Sequence, residues 1–198
     1  MGHRTKQAID TEEEEISICD AGIVKNVSVE CMLRDSRRSD LIIVFDMNHY
    51  LNDEYFDYMP ILQSAEHAWR DGLPFPPINV KELVNSPPKE FLVFESDSDD
   101  CPTVLWFTLC NKSFKNLKNY KPKRPFDASK NDGRPFNDFP VFSKDGNYST
   151  YKFNNTGLQF DQLHQLMYHN VTSHIEDIKK HIAQAVERRK MRLQNGNA

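Results

Sequence analysis

A continuous apolar run, Leu41-Ile42-Ile43-Val44-Phe45, is the feature that most limits the fold of this chain. Runs of this length and β-branched content are typical of strands buried on both faces, in a sheet that helices cover. Residues 91–94 and 104–109 are similarly apolar and predict two further strands. The acidic stretch 95–100 between them lacks the glycine of a calcium-binding loop, so it predicts a solvated turn.

Helical spacing of apolar residues appears between and after these strands. Residues 60–70 begin with a proline, end before Gly72, and have a predicted inner face of Ile61, Leu62, Ala65 and Trp69. The first of two closing helices has a predicted inner face of Phe160, Leu163, Leu166 and Met167. The second, with a capping box at Ser173 and Glu176, has a predicted inner face of Ile175, Ile178, Ile182, Ala185 and Val186. Strands that alternate with helices predict an α/β fold.

The remaining segments are mostly polar. Residues 1–15 predict a flexible acidic leader, and residues 195–198 predict a disordered tail. Residues 16–19 alternate between apolar and polar and predict a short strand. Residues 112–150 are rich in Lys, Asn, Asp, Gly and Pro, which predicts a long surface loop. The total of 198 residues is typical of one to one and a half domains, and residues 16–194 are the part between the predicted leader and the predicted tail.

The chain has only seven glycines, and their spacing excludes three common enzyme signatures. None of them forms the nucleophile elbow G-x-S-x-G, the dinucleotide motif G-x-G-x-x-G or the phosphate loop G-x-x-x-x-G-K. The residues alone therefore indicate a binding module, an unusual enzyme or a piece of something longer.

Cysteine and charge patterns indicate a reduced, cytosolic protein. The four cysteines form no C-x-x-C pair, and the polar residues 1–15 do not resemble a signal peptide. Two histidine pairs, 164 with 169 and 174 with 181, lack the four-residue spacing of helical metal ligands, so no metal site is predicted. The net charge of −4 gives no reason to expect a nucleic-acid partner.

One stretch of the predicted loop carries six cations with no acid among them. These are Lys112, Lys115, Lys118, Lys121, Lys123 and Arg124, interleaved with the aromatic residues Phe114 and Tyr120. Basic residues with aromatics are found at nucleic-acid sites and at anionic membrane surfaces. An ordinary surface loop is the commoner explanation, because one basic loop in an acidic chain makes a weak field.

Asp20 stands directly after the predicted strand 16–19 and before Ala21 and Gly22. Strand ends are where α/β enzymes present catalytic side chains, and small residues after them allow close approach of a substrate. Asp-x-Gly is also a common turn composition. The residues alone leave a catalytic and a purely structural aspartate both open.

Five blocks in one order, over residues 16–192, resemble the catalytic domain of the cytosolic phospholipase A2 (group IV) family. The blocks are residues 16–22 continued by 38–46, then 72–76, 101–107, 148–153 and 160–189. The resemblance implies that the chain is the C-terminal portion of this domain. It also implies a partial three-layer α/β lipid-hydrolase fold of the patatin and cytosolic phospholipase A2 type.

Enzymes of this family hydrolyse fatty-acyl esters of glycerophospholipids through a serine–aspartate dyad. The resemblance implies that Asp20 is the dyad aspartate, which accepts the proton of the serine. An aspartate is a weak base in water because its ordinary pKa is about 3.9. A semi-buried site beside the serine raises that proton affinity. Asn26 matches the same pattern, which implies a supporting hydrogen bond near the dyad.

The chain also departs from the family pattern. The G-x-S-G-S nucleophile motif, the glycine-rich oxyanion segment and the calcium-binding C2 module are not found in these 198 residues, so no cofactor is expected. Two functions follow. In the first, the chain is the aspartate-bearing part of a phospholipase, inactive alone, whose partners are a phospholipid membrane and an N-terminal catalytic segment. In the second, it is a non-catalytic truncated relative that docks on membranes or on a full-length member.

Overall fold

The computed structural model describes residues 25–48, 52–142, 148, 152 and 154–194. The helices and strands, in chain order, are β1 (Leu41–Asp46), α1 (Met59–Arg70), α2 (Val80–Asn85), β2 (Phe91–Phe94), β3 (Thr103–Thr108), α3 (Lys112–Lys115), α4 (Gly157–Ser173) and α5 (Ile175–Gln194). Short 3-10 helices span Glu30–Met32, Asp35–Arg37 and Ala128–Asn131. The predicted leader 1–15, strand 16–19 and tail 195–198 lie outside the described residues.

The three strands form one sheet in the order β1-β3-β2. β1 runs parallel to β3, with Leu41 opposite Thr103, whereas β2 runs antiparallel to it, with Phe91 opposite Phe107. Parallel neighbours need a crossover connection, which the segment containing α1 and α2 supplies between β1 and β3. The predicted α/β class and the three predicted strands in this part of the chain are confirmed.

β3 is the centre of the structure, and all six of its residues are buried. Val104 and Trp106 face the larger core cluster, which includes Ile61 of α1. Leu105 and Phe107 face the opposite side and pack with Ile178 of α5. Helices therefore contact both faces of the sheet at β3.

β1 differs from the prediction of a strand buried on both faces. Its burial alternates: Ile42 and Val44 are buried, whereas Ile43 is 40% exposed and Phe45 is 50% exposed. β1 stands at one end of the strand order, and on this face only Leu41, at its start, is partly buried against the cluster that contains Ile178 of α5. The apolar run predicted the strand correctly but not its second covered face.

α1 begins with Pro60 in its first turn, as predicted. It ends at Arg70, and Gly72, whose φ of 64° lies in the left-handed region, turns the chain away so that the Leu73 amide donates to the Ala68 carbonyl at 2.7 Å. The predicted face was partly wrong, because Trp69 is 82% exposed. The buried face is centred on Ala68 and includes Ile61 and Ser64.

α4 has a capping box at its start, where Thr156 and Gln159 exchange side-chain and backbone hydrogen bonds. The capping box predicted at Ser173 is wrong, because Ser173 is the last residue of α4 and its hydroxyl lies 3.4 Å from the His169 ring nitrogens. Phe160, predicted to face inward, is exposed, whereas Leu166 is fully buried as predicted.

α5 buries a different face from the predicted one. Ile178 and Ala185 are buried as predicted, but Ile175, Ile182 and Val186 are exposed. The covered face is completed by two polar residues, His181 and Arg192.

Residues 112–142 correct the prediction of a surface loop over 112–150. The segment contains α3 and a 3-10 helix, and it contributes several buried aromatic and aliphatic side chains to the core. These are Phe114, Phe136, Phe139, Val141 and Phe142. The charged and polar residues between them hid this pattern in the sequence.

Candidate functional site

The resemblance places two residues at the dyad, Asp20 and Asn26. Asp20 lies outside the described residues, and Asn26 is exposed. Its neighbour Lys25 is buried and forms an ion pair with Glu30, whose carboxylate lies 3.5 Å from Nδ1 of His67 on α1. The chain next to Asn26 is thus tied to α1, while Asn26 itself stays accessible.

Packing fixes the same segment. Val29 and Leu33 are buried in the core, and the Val27 carbonyl lies 3.4 Å from the Ser64 hydroxyl of α1, which donates to the Pro60 carbonyl at 2.9 Å. Residues 25–33 are therefore anchored to the rest of the structure by apolar and polar contacts. α1 is the element that positions the chain immediately after the predicted catalytic segment.

Asp46, at the carboxyl end of β1, is fully buried. Its carboxylate accepts hydrogen bonds from Trp106 Nε1 at 3.1 Å and from the Asn48 backbone amide at 2.9 Å, and also from the Asn48 side chain. A buried carboxylate needs such donors, because its transfer from water into the protein interior costs free energy unless hydrogen bonds replace those to water. Asp46 joins the end of β1 to β3 and holds the edge of the sheet at which α/β folds place their sites.

Asp53 makes a similar connection further along the chain. Its carboxylate accepts from the backbone amides of Phe142, at 2.9 Å, and Val141, at 3.2 Å. Burial raises the pKa of Asp53, and the same two hydrogen bonds act in the opposite direction. The pair of bonds holds the end of segment 112–142 against the chain that follows β1.

The six cations of the basic stretch are all exposed, as a surface contact requires. Three of them have a partner within the protein. Lys115 lies 3.1 Å from Asp138, Arg124 lies 3.5 Å from Asp161, and Lys123 lies 4.1 Å from the centre of the Tyr168 ring. No ion pair to Lys112, Lys118 or Lys121 is formed by the residues that the structure describes.

The aromatic residues of the basic stretch do not join this surface. Phe114 is fully buried, and Tyr120 packs edge-on against it with ring centres 4.7 Å apart. The Tyr120 hydroxyl donates to Gln165 of α4 at 2.8 Å. Neither ring is free to stack on a base, so the structure separates the cations from the aromatics that the sequence interleaves.

Buried amide side chains are the feature that the sequence analysis missed. Asn137 donates to the carbonyls of Phe114, at 2.7 Å, and Leu117, at 3.0 Å. Asn111 donates to the Phe139 carbonyl at 2.7 Å, and Asn170 of α4 donates to the Cys110 carbonyl at 3.0 Å. Their spacing in the sequence follows no helix or strand period, so no local signal reveals them.

Metal clusters and membrane-spanning helices are both absent from the described part of the chain. In those ranges no group of three or more His, Cys, Asp or Glu side chains is arranged to hold a metal ion. None of the helices described here is both long and apolar enough to cross a bilayer.

Solved structures share this arrangement of sheet and helices. Human group IVD cytosolic phospholipase A2 superposes with a TM-score of 0.66 at 22% identity, over 85% of this chain and 21% of that one. The same human protein in complex with methyl γ-linolenyl fluorophosphonate gives a TM-score of 0.60 at 24% identity, over 90% of this chain and 25% of that one. The fold is thus a partial α/β domain of the cytosolic phospholipase A2 and patatin type.

The sequence comparison agrees. Cytosolic phospholipase A2 zeta of Mus musculus is 31% identical over 177 residues, which cover 88% of this chain and 20% of the mouse protein. No family model matches the chain. The chain is related to the cytosolic phospholipase A2 family, and it spans about a fifth of the length of the curated relative it matches.

Proposed function

We propose that this chain is the aspartate-bearing part of a phospholipase catalytic domain, with Asp20 as the general base. The observation that carries the proposal is the 31% identity to mouse cytosolic phospholipase A2 zeta over 177 residues. The shared fold supports it, since the aligned region keeps its sheet and helices at a TM-score of 0.66. The substrate class is the fatty-acyl esters of glycerophospholipids or lysophospholipids.

In the proposed reaction, a serine from the rest of the domain attacks the acyl carbon of the ester. Its hydroxyl proton passes to the Asp20 carboxylate, and glycine backbone amides stabilise the oxyanion. The chain supplies the base and the scaffold behind it: the 25–33 segment tied to α1, and the end of β1 tied to β3 through Asp46. The nucleophile and the oxyanion donors come from outside these 198 residues.

The proposal predicts that the chain alone hydrolyses no ester, since a dyad without its nucleophile loses the covalent route. The test is a chimera in which this chain replaces the matched segment of mouse cytosolic phospholipase A2 zeta. We expect the chimera to hydrolyse a phospholipid ester. Asp20→Asn should lower kcat/KM by about three orders of magnitude or more, as loss of one catalytic member does elsewhere.

Asp97→Asn is the matched control, because Asp97 is an exposed carboxylate in the turn between β2 and β3. It should leave hydrolysis unchanged. Full activity of the Asp20→Asn chimera would show that Asp20 is not the base. Asp20-dependent hydrolysis by the isolated chain would show that the rest of the domain is not required.

A second candidate function is docking on an anionic membrane through the basic stretch. The observation that favours it is the exposure of all six cations, with Lys112, Lys118 and Lys121 lacking an ion-pair partner among the described residues. Each cation near a headgroup surface contributes about 1 kcal/mol. A group of this size suits weak, salt-sensitive attachment.

Co-sedimentation with phosphatidylserine vesicles tests this candidate. We expect binding at low salt that is lost at high salt. Changing Lys118, Lys121 and Lys123 to Glu should weaken it more than about tenfold. Changing Lys81, an exposed cation of α2, to Glu is the control and should have little effect. Absence of binding at low salt would remove the candidate.

A further inference from the structure

Four large apolar side chains are exposed on β1 and α5, two elements that contact each other. We name this set the β1–α5 patch and define it by Ile43, Phe45, Ile182 and Val186. The two helix residues are 44% and 46% exposed, similar to the two strand residues. Large exposed apolar side chains that lie together mark a surface that another part of a protein covers.

The strand half of the patch lies beside covered side chains. Ile43 is opposite Leu105 and Phe45 is opposite Phe107 in the register of β1 and β3. Both β3 residues are fully buried, and the Phe45 and Phe107 rings stack at 5.5 Å. The covered area of this sheet face therefore includes β3 and Leu41 of β1 but stops short of Ile43 and Phe45.

The helix half of the patch points toward the same side. With 3.6 residues per turn, Ile182 and Val186 lie about 40° and about 80° around α5 from the buried Ile178, both on the same side of it. His181 borders the other side of that buried face, and its Nδ1 lies 3.2 Å from Glu95, which directly follows β2. Since β2 and β1 flank β3 on opposite sides, the stripe of Ile182 and Val186 faces β1.

The end of α5 is fixed to the sheet, so the patch has a defined shape. Arg188 donates to the Thr103 hydroxyl at 2.8 Å, and Arg192 donates to the Asp99 carbonyl at 2.6 Å and forms an ion pair with Asp40. These contacts hold α5 at the amino ends of β1 and β3. The apolar corner between helix and strand is therefore preformed.

We infer that the β1–α5 patch docks the part of a phospholipase catalytic domain that lies outside the segment matched here. This inference rests on the proposed function. Strands of parallel sheets in α/β proteins are normally covered on both faces, and β1 lacks the second cover at Ile43 and Phe45. The relatives contain further chain that could supply this cover, because the matched region is only 20% of the mouse protein and 21% of the human one.

A second copy of the chain fits the patch less well. α5 carries six Lys and Arg residues but three Asp and Glu residues. Two copies that met through this helix would place their excess positive charges together, which opposes association. The occupant is therefore a different segment rather than a symmetric partner.

The chimera with mouse cytosolic phospholipase A2 zeta also tests the docking surface, with thermal unfolding as the readout. Ile182→Glu with Val186→Glu should lower the melting temperature of the chimera by about 5 °C or more, because two carboxylates would be buried at the contact. The same double variant should leave the melting temperature of the isolated chain unchanged, since both positions are exposed there.

Met191→Glu is the matched control. Met191 is 54% exposed on the side of α5 away from the stripe, so its substitution should change neither protein. Ile43→Lys tests the strand half separately and should lower the melting temperature in the chimera only. These readouts involve no hydrolysis, so docking and the role of Asp20 succeed or fail independently.

Two results would overturn the inference. The first is an unchanged melting temperature of the folded chimera in the double variant, or an equal loss with Met191→Glu. The second is an isolated chain that is dimeric in solution and becomes monomeric with Ile182→Glu and Val186→Glu, which would make a second copy the occupant.

Discussion

Residues 112–142 and the β1–α5 patch differ in what covers them. The first segment is largely polar, yet it places Phe114 and Val141 in the core and has its carbonyls bound by buried amides such as Asn137. The patch is wholly apolar, yet about half of each Ile43 and Phe45 side chain meets solvent. A polar segment can be buried where each of its backbone groups has a hydrogen-bond partner. Apolar side chains stay exposed where no helix covers their face of the sheet.

The largest expected effect comes from exchanging a phenylalanine of each region for alanine. Phe114→Ala should lower the free energy of unfolding by about 3–5 kcal/mol, the usual cost of an emptied phenylalanine site in a core. Phe45→Ala, on the patch, should cost only about 1 kcal/mol because the ring is half in water already. Urea unfolding of the isolated chain measures both. Equal costs would mean that the patch is covered in solution.

Removing an amide tests how the polar segment is held. Asn137 is buried and donates to three carbonyls, of Phe114, Lys115 and Leu117. Asn137→Ala should cost about 2–3 kcal/mol of unfolding free energy, since buried carbonyls lose their donor. Asn116→Ala is the control, because Asn116 is exposed and donates to one carbonyl, at 2.9 Å. A loss as small as that of the control would contradict the role given to Asn137.

Two isoleucines on α5 separate its covered and uncovered faces. Ile178→Ala should lower the free energy of unfolding by about 2 kcal/mol, because the side chain packs with Leu105 and Phe107. Ile182→Ala should cost less than about 0.5 kcal/mol in the isolated chain. Denaturant titration of the two variants gives the difference directly. The reverse order would show that the face of α5 has been assigned wrongly.

The smallest expected effect concerns pH and His169, on α4. Burial against segment 112–142 lowers the pKa of His169, Glu90 raises it and His174 lowers it further. Its ring lies 5.3 Å from that of Phe114 and within 3.2 Å of the Ser113 hydroxyl. Below its ordinary pKa of about 6.5 the unfolded chain therefore takes up a proton more readily than the folded chain.

Stability should accordingly fall as the pH drops from 7.5 to 5, and His169→Gln should reduce that slope. Urea midpoints across this pH range measure the effect. His164→Gln serves as the control, because His164 lies on the exposed side of α4. An unchanged slope in the His169 variant would mean that this histidine does not contribute to the pH dependence.

Much of the local structure was predictable from short-range patterns. The strands at 41–46, 91–94 and 103–108 and the helix starting near Pro60 follow from apolar runs and from proline at a helix start. Which side of each helix faces the core was less predictable. Trp69 on α1 and Ile182 on α5 belong to apolar stripes, but each helix packs on the core through a different face, so both side chains are exposed.

The candidate site divides in the same way. The lysines of the basic stretch were correctly expected at the surface, because charged side chains without partners stay in water. The hydrogen bonds of Asp46 and Asn137 join residues that lie 20 to 60 positions apart in the sequence. No local spacing predicts such pairs. The role of Asp20 stays a prediction, which the chimera tests.

By itself the sequence determined the α/β class, the position of the strands and the resemblance to the cytosolic phospholipase A2 family, since these depend on residue types and local order. Only the tertiary structure decided which side chains are covered. Burial depends on which elements pack together, so the polar segment 112–142 lies against α4, while the apolar side chains Ile43 and Phe45 remain at the uncovered end of a sheet.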